Sequence, residues 1–142
     1  MSKNYKFIDH TADVAVDLKA NSLEELFTAS AEAFKISVTD FNCLEISDSI
    51  EIELIGNSNE ELLVNFLNEI NFHLTTKKWL CCKVESINIF NDENYWELSA
   101  ELSGIRLNSE IELKQEIKSV TYHQMEIVQK NNIYSTRVVF DI

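Results

Sequence analysis

Proline is absent from this chain, and glycine occurs only at Gly56 and Gly104. Without proline there is no stiff polyproline spacer between domains. Two isolated glycines cannot build the backbone nest that cradles nucleotide phosphates. Basic side chains are scarce as well: 12 Lys and Arg stand against 24 Asp and Glu, a formal net charge of −12. Nucleic-acid binding draws on an electropositive footprint that displaces counterions from phosphates. Direct nucleic-acid binding is therefore disfavoured, and a cation or a basic protein surface is the better electrostatic match. Solubility alone also accounts for such a charge.

Other absences narrow the chemistry. No apolar run reaches the length of a membrane span, and the amino end lacks a signal-peptide pattern. Cys43, Cys81 and Cys82 give neither the even count of a secreted disulfide scaffold nor a Cys-x-x-Cys zinc spacing. All three are expected as reduced thiols of a cytoplasmic protein. There is no Gly-x-Ser-x-Gly elbow and no His-Glu-x-x-His metal helix. Together with the missing phosphate loop, this argues against an autonomous nucleotide-using enzyme.

What is present reads as one α+β domain over residues 1–142, two helices packed on a largely antiparallel sheet. Residues 5–10 form a short first strand, and Val14, Val16, Leu18 and Ala20 alternate with Ala15, Asp17 and Lys19 as a half-buried second one. Ser22 with Glu25, and Ser58 with Glu61, are capping boxes that start two helices. Leu23, Leu26, Phe27, Ser30 and Phe34 mark one face of the first helix. Leu62, Leu63, Phe66, Leu67, Ile70 and Leu74 mark one face of the second. Lys77 and Lys78 are placed near its end, where cations suit the helix dipole. A strand containing Ile50, Ile52 and Leu54 lies between the helices. After them, strands over 79–90 and 95–102 flank the turn at 91–94, and strands over 116–130 and 133–142 flank Asn131-Asn132. Residues 104–115 are ambiguous and read best as a loop.

Three stretches carry groups with chemical potential. At Asp141-Ile142 a side-chain carboxylate and the chain's own α-carboxylate lie one residue apart. Two anions that close repel each other unless a cation, a donor or water separates them, and Ca²⁺ or Mg²⁺ prefers such oxygen ligands. An ordinary solvated terminus is the plain alternative. Asp9 and Asp13 sit at the junction of the first two strands, where side chains leave the sheet and can converge on a ligand. His10 between them, taken alone, fits a structural histidine better than a metal ligand. In the stretch from Lys118 to Met125, Tyr122 and His123 suit proton transfer, a partner contact or cross-strand packing.

Taken in order along the chain, these pieces resemble the archease family. The resemblance rests on Asp9-His10-Thr11-Ala12-Asp13, the helix start at Ser22-Leu23-Glu24-Glu25-Leu26-Phe27, the stretch from Leu62 to Ile70, Val120-Thr121-Tyr122-His123, and Phe140-Asp141-Ile142. It departs from the family pattern at Ala15, where a glycine is common, and at Ser119, where many members have alanine. It implies an accessory protein, not an enzyme, that activates an RtcB-type RNA ligase. Such a protein promotes guanylylation of the ligase from GTP and repeated turnover in tRNA splicing or RNA repair. It also implies a divalent-metal site at Asp13, Asp141 and Ile142, the last through its α-carboxylate. The ion is Ca²⁺ in structures of such sites, with the cellular metal left open. His10, Lys118, Tyr122 and His123 become residues that support the site or touch the partner. Two other readings stand beside this one. One is a general protein-binding or chaperone-like module. The other is a metal-dependent hydrolase with His10 or His123 as general base.

Overall fold

Both helices begin where a serine side chain accepts a hydrogen bond from the backbone N–H three residues on. In the computed structural model, which describes residues 4–9, 13–46, 48–121 and 125–142, helix α1 is Leu23–Val38 and helix α2 is Asn59–Thr75. Ser22 Oγ accepts from Glu25 N at 3.1 Å, and Ser58 Oγ accepts from Glu61 N at 3.1 Å. The paired glutamates reach one residue further back than a strict capping box, to Asn21 N and Asn57 N. Each serine and glutamate thus satisfies donors that a helix start leaves open. The lysines expected at the end of α2 fall just beyond its last turn, and Lys78 adopts a left-handed φ of 56°.

The strands are β1 (Tyr5–Asp9), β2 (Asp13–Ala20), β3 (Asp48–Gly56), β4 (Trp79–Asn91), β5 (Trp96–Arg106), β6 (Ser119–Thr121), β7 (Val128–Lys130) and β8 (Ile133–Asp141). All pair antiparallel, and they form two sheets where the sequence pattern implies one. The larger runs β1-β2-β8-β6, with β7 also on β8; the smaller runs β3-β5-β4. Both helices pack between them. The apolar positions read from periodicity supply the core: Phe27 meets Phe66 at 5.7 Å between ring centroids, and Phe34 meets Phe140 at 5.8 Å. Each such buried ring contributes roughly 1.5–3 kcal/mol relative to exposure.

One expected strand is corrected. Residues 116–130 are not one strand but two short ones, β6 and β7. The backbone before β6 bonds to the end of α1: Lys114 N donates to Val38 O at 2.7 Å, and Glu112 O accepts from Thr39 Oγ1 at 2.7 Å. The turn at Asn131 and Asn132 is as expected, with φ of 53° and 64°, values that asparagine tolerates in tight hairpins.

The cysteines are not all thiols, because Cys43 and Cys82 form a disulfide. Strand β4 is irregular at Cys82, between the registered positions Cys81 and Lys83, and again between Val84 and Ser86. At the first irregularity Cys82 leaves the regular alternation and meets the segment that follows α1, with 6.0 Å between the two Cα atoms. Cys81 stays reduced and buried. Opposite it, Gly104 lies so close to β4 that a Cβ there would collide with the Leu80 carbonyl oxygen.

Candidate metal centre

The second strand and the last strand pair residue for residue, from Asp13 opposite Asp141 to Ala20 opposite Tyr134. Alternation puts Val16, Leu18, Val138 and Phe140 in the core. It therefore puts Asp13 and Asp141 on the other face, directly across from each other. Such cross-strand neighbours have Cβ atoms roughly 4.5–5.5 Å apart. Ile142 packs against the core, which fixes this end of the sheet.

The same face shows what the sheet does with a carboxylate when it supplies a partner. Asp17 is held by Arg137, with bonds of 2.6 Å from Nε and 3.1 Å from Nη2. The guanidinium holds the Asp17 carboxyl below the usual range, through the hydrogen bond first and its charge second. Asp13 and Asp141 have no such cation among the described residues. Among the described residues, neither side chain has a hydrogen bond or an ion pair. Like charges placed directly opposite on a sheet destabilise it, and a divalent cation turns that repulsion into attraction. Among the described residues no three His, Cys, Asp or Glu side chains gather around one point. A cation placed between Asp13 and Asp141 would meet two carboxylates, a donor type that suits a hard, partly hydrated ion such as Ca²⁺ or Mg²⁺ better than zinc.

A third strand closes the site on the other side of β8. Ser119 of β6 is in register with Asp141, and Lys118 N donates to Asp141 O at 2.7 Å. The Lys118 side chain is exposed beside it. His10, Tyr122 and His123, the remaining predicted residues, lie outside the described residues.

Two residues that sequence reasoning passed over hold β6 in place. Asn68 Oδ1 accepts from Val120 N at 2.9 Å, and Asn68 Nδ2 donates to Val120 O at 3.3 Å. The buried Asn71 donates to Ile117 O at 2.7 Å. Their signal in the sequence is Asn65, Asn68 and Asn71 at intervals of three within a helix. Asparagine is a poor helix former, so a row of it on one flank points to hydrogen bonds made elsewhere.

A family model described as "Archease protein family (MTH1598/TM1083)" matches residues 5–142. A Drosophila melanogaster protein named "Protein archease-like" is 32% identical, over 97% of this chain and 90% of its own length. "Protein archease" of Sulfolobus acidocaldarius is also 32% identical, over 97% of this chain and 98% of its own. The solution structure of Methanobacterium thermoautotrophicum protein 1598 superimposes with a TM-score of 0.84 at 25% identity, covering 99% of this chain and 100% of that one. A Thermotoga maritima crystal structure, described as "an archease, possible chaperone", gives a TM-score of 0.61 at 27% identity, with 96% of each chain covered.

Proposed function

The chain belongs to the archease family, and from that premise we propose that it is a metal-binding accessory protein of an RtcB-type RNA ligase. In this role it promotes guanylylation of the ligase from GTP and repeated turnover in tRNA splicing or RNA repair. The observation that carries the reading is the register pair Asp13 and Asp141, two carboxylates opposed on one sheet face with no ion pair to a described basic side chain. These two residues, with the α-carboxylate at Ile142, hold a divalent ion. The ion supplies a positive centre with exchangeable positions that can accept an oxygen from the partner. Asn68 and Asn71 keep the neighbouring β6 backbone where it meets the last strand. Lys118 and the residues after it offer the contacts for the ligase. Chemistry on GTP and RNA stays with the ligase.

A GMP-transfer assay tests this. The ligase is incubated with GTP, with and without this protein, and with and without a chelator added to the accessory protein beforehand. Acceleration that is lost in Asp13→Asn and Asp141→Asn is the expected result. Full stimulation by folded double variants overturns the metal-site reading. A chaperone-like docking module is the second reading, in line with the description of the Thermotoga maritima structure as that of a possible chaperone. That module would bind the ligase or other basic clients without speeding GMP transfer.

A further inference from the structure

We propose that Ser119 is a positioning residue of this cation site: when an ion is bound, its hydroxyl donates to the Asp141 carboxylate and fixes it. The inference rests on the metal-site reading above. Asp13, Asp141 and Ser119 occupy one level of three adjacent strands, β2, β8 and β6. Residues in register share a face, so a carboxylate, a carboxylate and a hydroxyl stand in a row. The steps in that row are roughly 5 Å each, and its ends are roughly 10 Å apart. Ser119 is thus too far from Asp13 to share a ligand shell directly with it across Asp141. It is within reach of the Asp141 side chain, since a serine arm, a hydrogen bond and an aspartate arm together span more than one such step.

Ser119 suits the task for three further reasons. It is half-buried, so a hydrogen bond made there competes less with water. Among the described residues neither its hydroxyl nor the Asp141 carboxylate has a hydrogen-bond partner, so each is available to the other. Its strand is held on both sides: Lys118 N bonds to Asp141 O, and Val120 is gripped by Asn68. A carboxylate that binds an ion through one oxygen leaves the other free to swing. A hydroxyl on that second oxygen orients the ligand, an effect that typically changes metal affinity by about 10–100-fold.

Ser119→Thr and Ser119→Val form the test pair. The two side chains have nearly the same shape, both suit a strand, and only Thr keeps the hydroxyl. Titration calorimetry with CaCl₂ and, separately, MgCl₂ reads the dissociation constant of each variant, with Asp141→Asn as the reference for loss. Expected are near wild-type affinity for Thr, about tenfold weaker binding for Val, and equal melting midpoints for the two ion-free proteins. Equal affinity in Thr and Val, while Asp141→Asn loses binding, overturns the role of Ser119 and leaves the metal site standing. Wild-type protein that binds neither ion overturns both.

Discussion

Asn68 of α2 grips both backbone groups of Val120, accepting from its N–H at 2.9 Å and donating to its carbonyl at 3.3 Å. A single side chain thus does for β6 what a neighbouring strand would do on that side. Because β6 also pairs with the end of β8, the grip links the middle of a helix to the level of Asp141.

Replacing Asn68 by Ala leaves two half-buried backbone groups without this partner. The expected cost is about 1–3 kcal/mol in urea unfolding, with faster amide exchange at Val120. Asn65 is the control, because it makes one exposed bond, to Ile55 O. Its loss should cost under about 1 kcal/mol. Equal costs at the two positions would show that the two-sided grip on Val120 adds nothing.

Neutralising one member of the carboxylate pair has opposite effects on the two forms of the protein. Without metal, Asp141→Asn or Asp13→Asn removes a like-charge opposition and should raise stability by about 0.2–1 kcal/mol. With Ca²⁺ or Mg²⁺ in excess, wild type should melt higher than its ion-free form, and the variants should not. Ion-free melting that falls in both variants contradicts the proposed repulsion.

The pair Asp17 and Arg137 sets part of the acid response. Asp17 is depressed in the folded state, first by the Arg137 hydrogen bond. A depressed carboxyl stabilises the fold above its ordinary, unfolded pKa, and that contribution is lost as pH falls through the depressed value. Arg137→Ala should therefore move acid unfolding to higher pH. The side chains are substantially exposed, so the shift should be small and should shrink in concentrated salt. An acid midpoint that ignores both the mutation and salt refutes this assignment.

At the alkaline end the relevant group is Cys81, whose thiol is pushed up to about 12 by burial. A raised pKa stabilises the fold fully below the unfolded value of about 8.5. That contribution declines as pH rises from there towards the folded value. Cys81→Ala should be less stable at neutral pH through its small cavity, yet flatten the decline between pH 9 and 11. In native, unreduced protein Cys81 should resist Ellman's reagent, and one thiol should appear on denaturation. Fast labelling of the native protein would show that the thiol is not sealed.

Much of the fold was legible because local chemistry and tertiary packing agree. Ser22 and Ser58 mark helix starts by side chains that bond to their own backbone. The alternation around Val16 and Val138 marks strands that bury one face. The pairing of Asp13 with Asp141 followed from strand neighbours that only family resemblance could suggest, since register over so long a separation leaves no local trace. The division into two sheets was not legible, because alternation gives the buried face and not the partner. The disulfide was hidden for a similar reason: Cys43 and Cys82 are 39 residues apart, and an irregularity in β4 brings them together. Residues 116–118 read as strand yet lie outside one, because the Ile117 carbonyl is taken by the Asn71 side chain rather than by a ladder.

The two irregularities in β4 have one more effect. The small sheet ends in β3 on one side and β4 on the other, so neither rim has a further strand, although Asn65 takes the Ile55 carbonyl and Glu24 takes the Ile89 N–H. Polymerisation through a rim needs an evenly spaced run of donors and acceptors that a second molecule can copy. Breaks at Cys82 and Glu85 disturb that spacing on β4, while Glu51 and Glu53 line β3 with charge of one sign. A copy of this protein approaching the small sheet meets broken spacing on one rim and like charge on the other, both of which disfavour strand-by-strand addition.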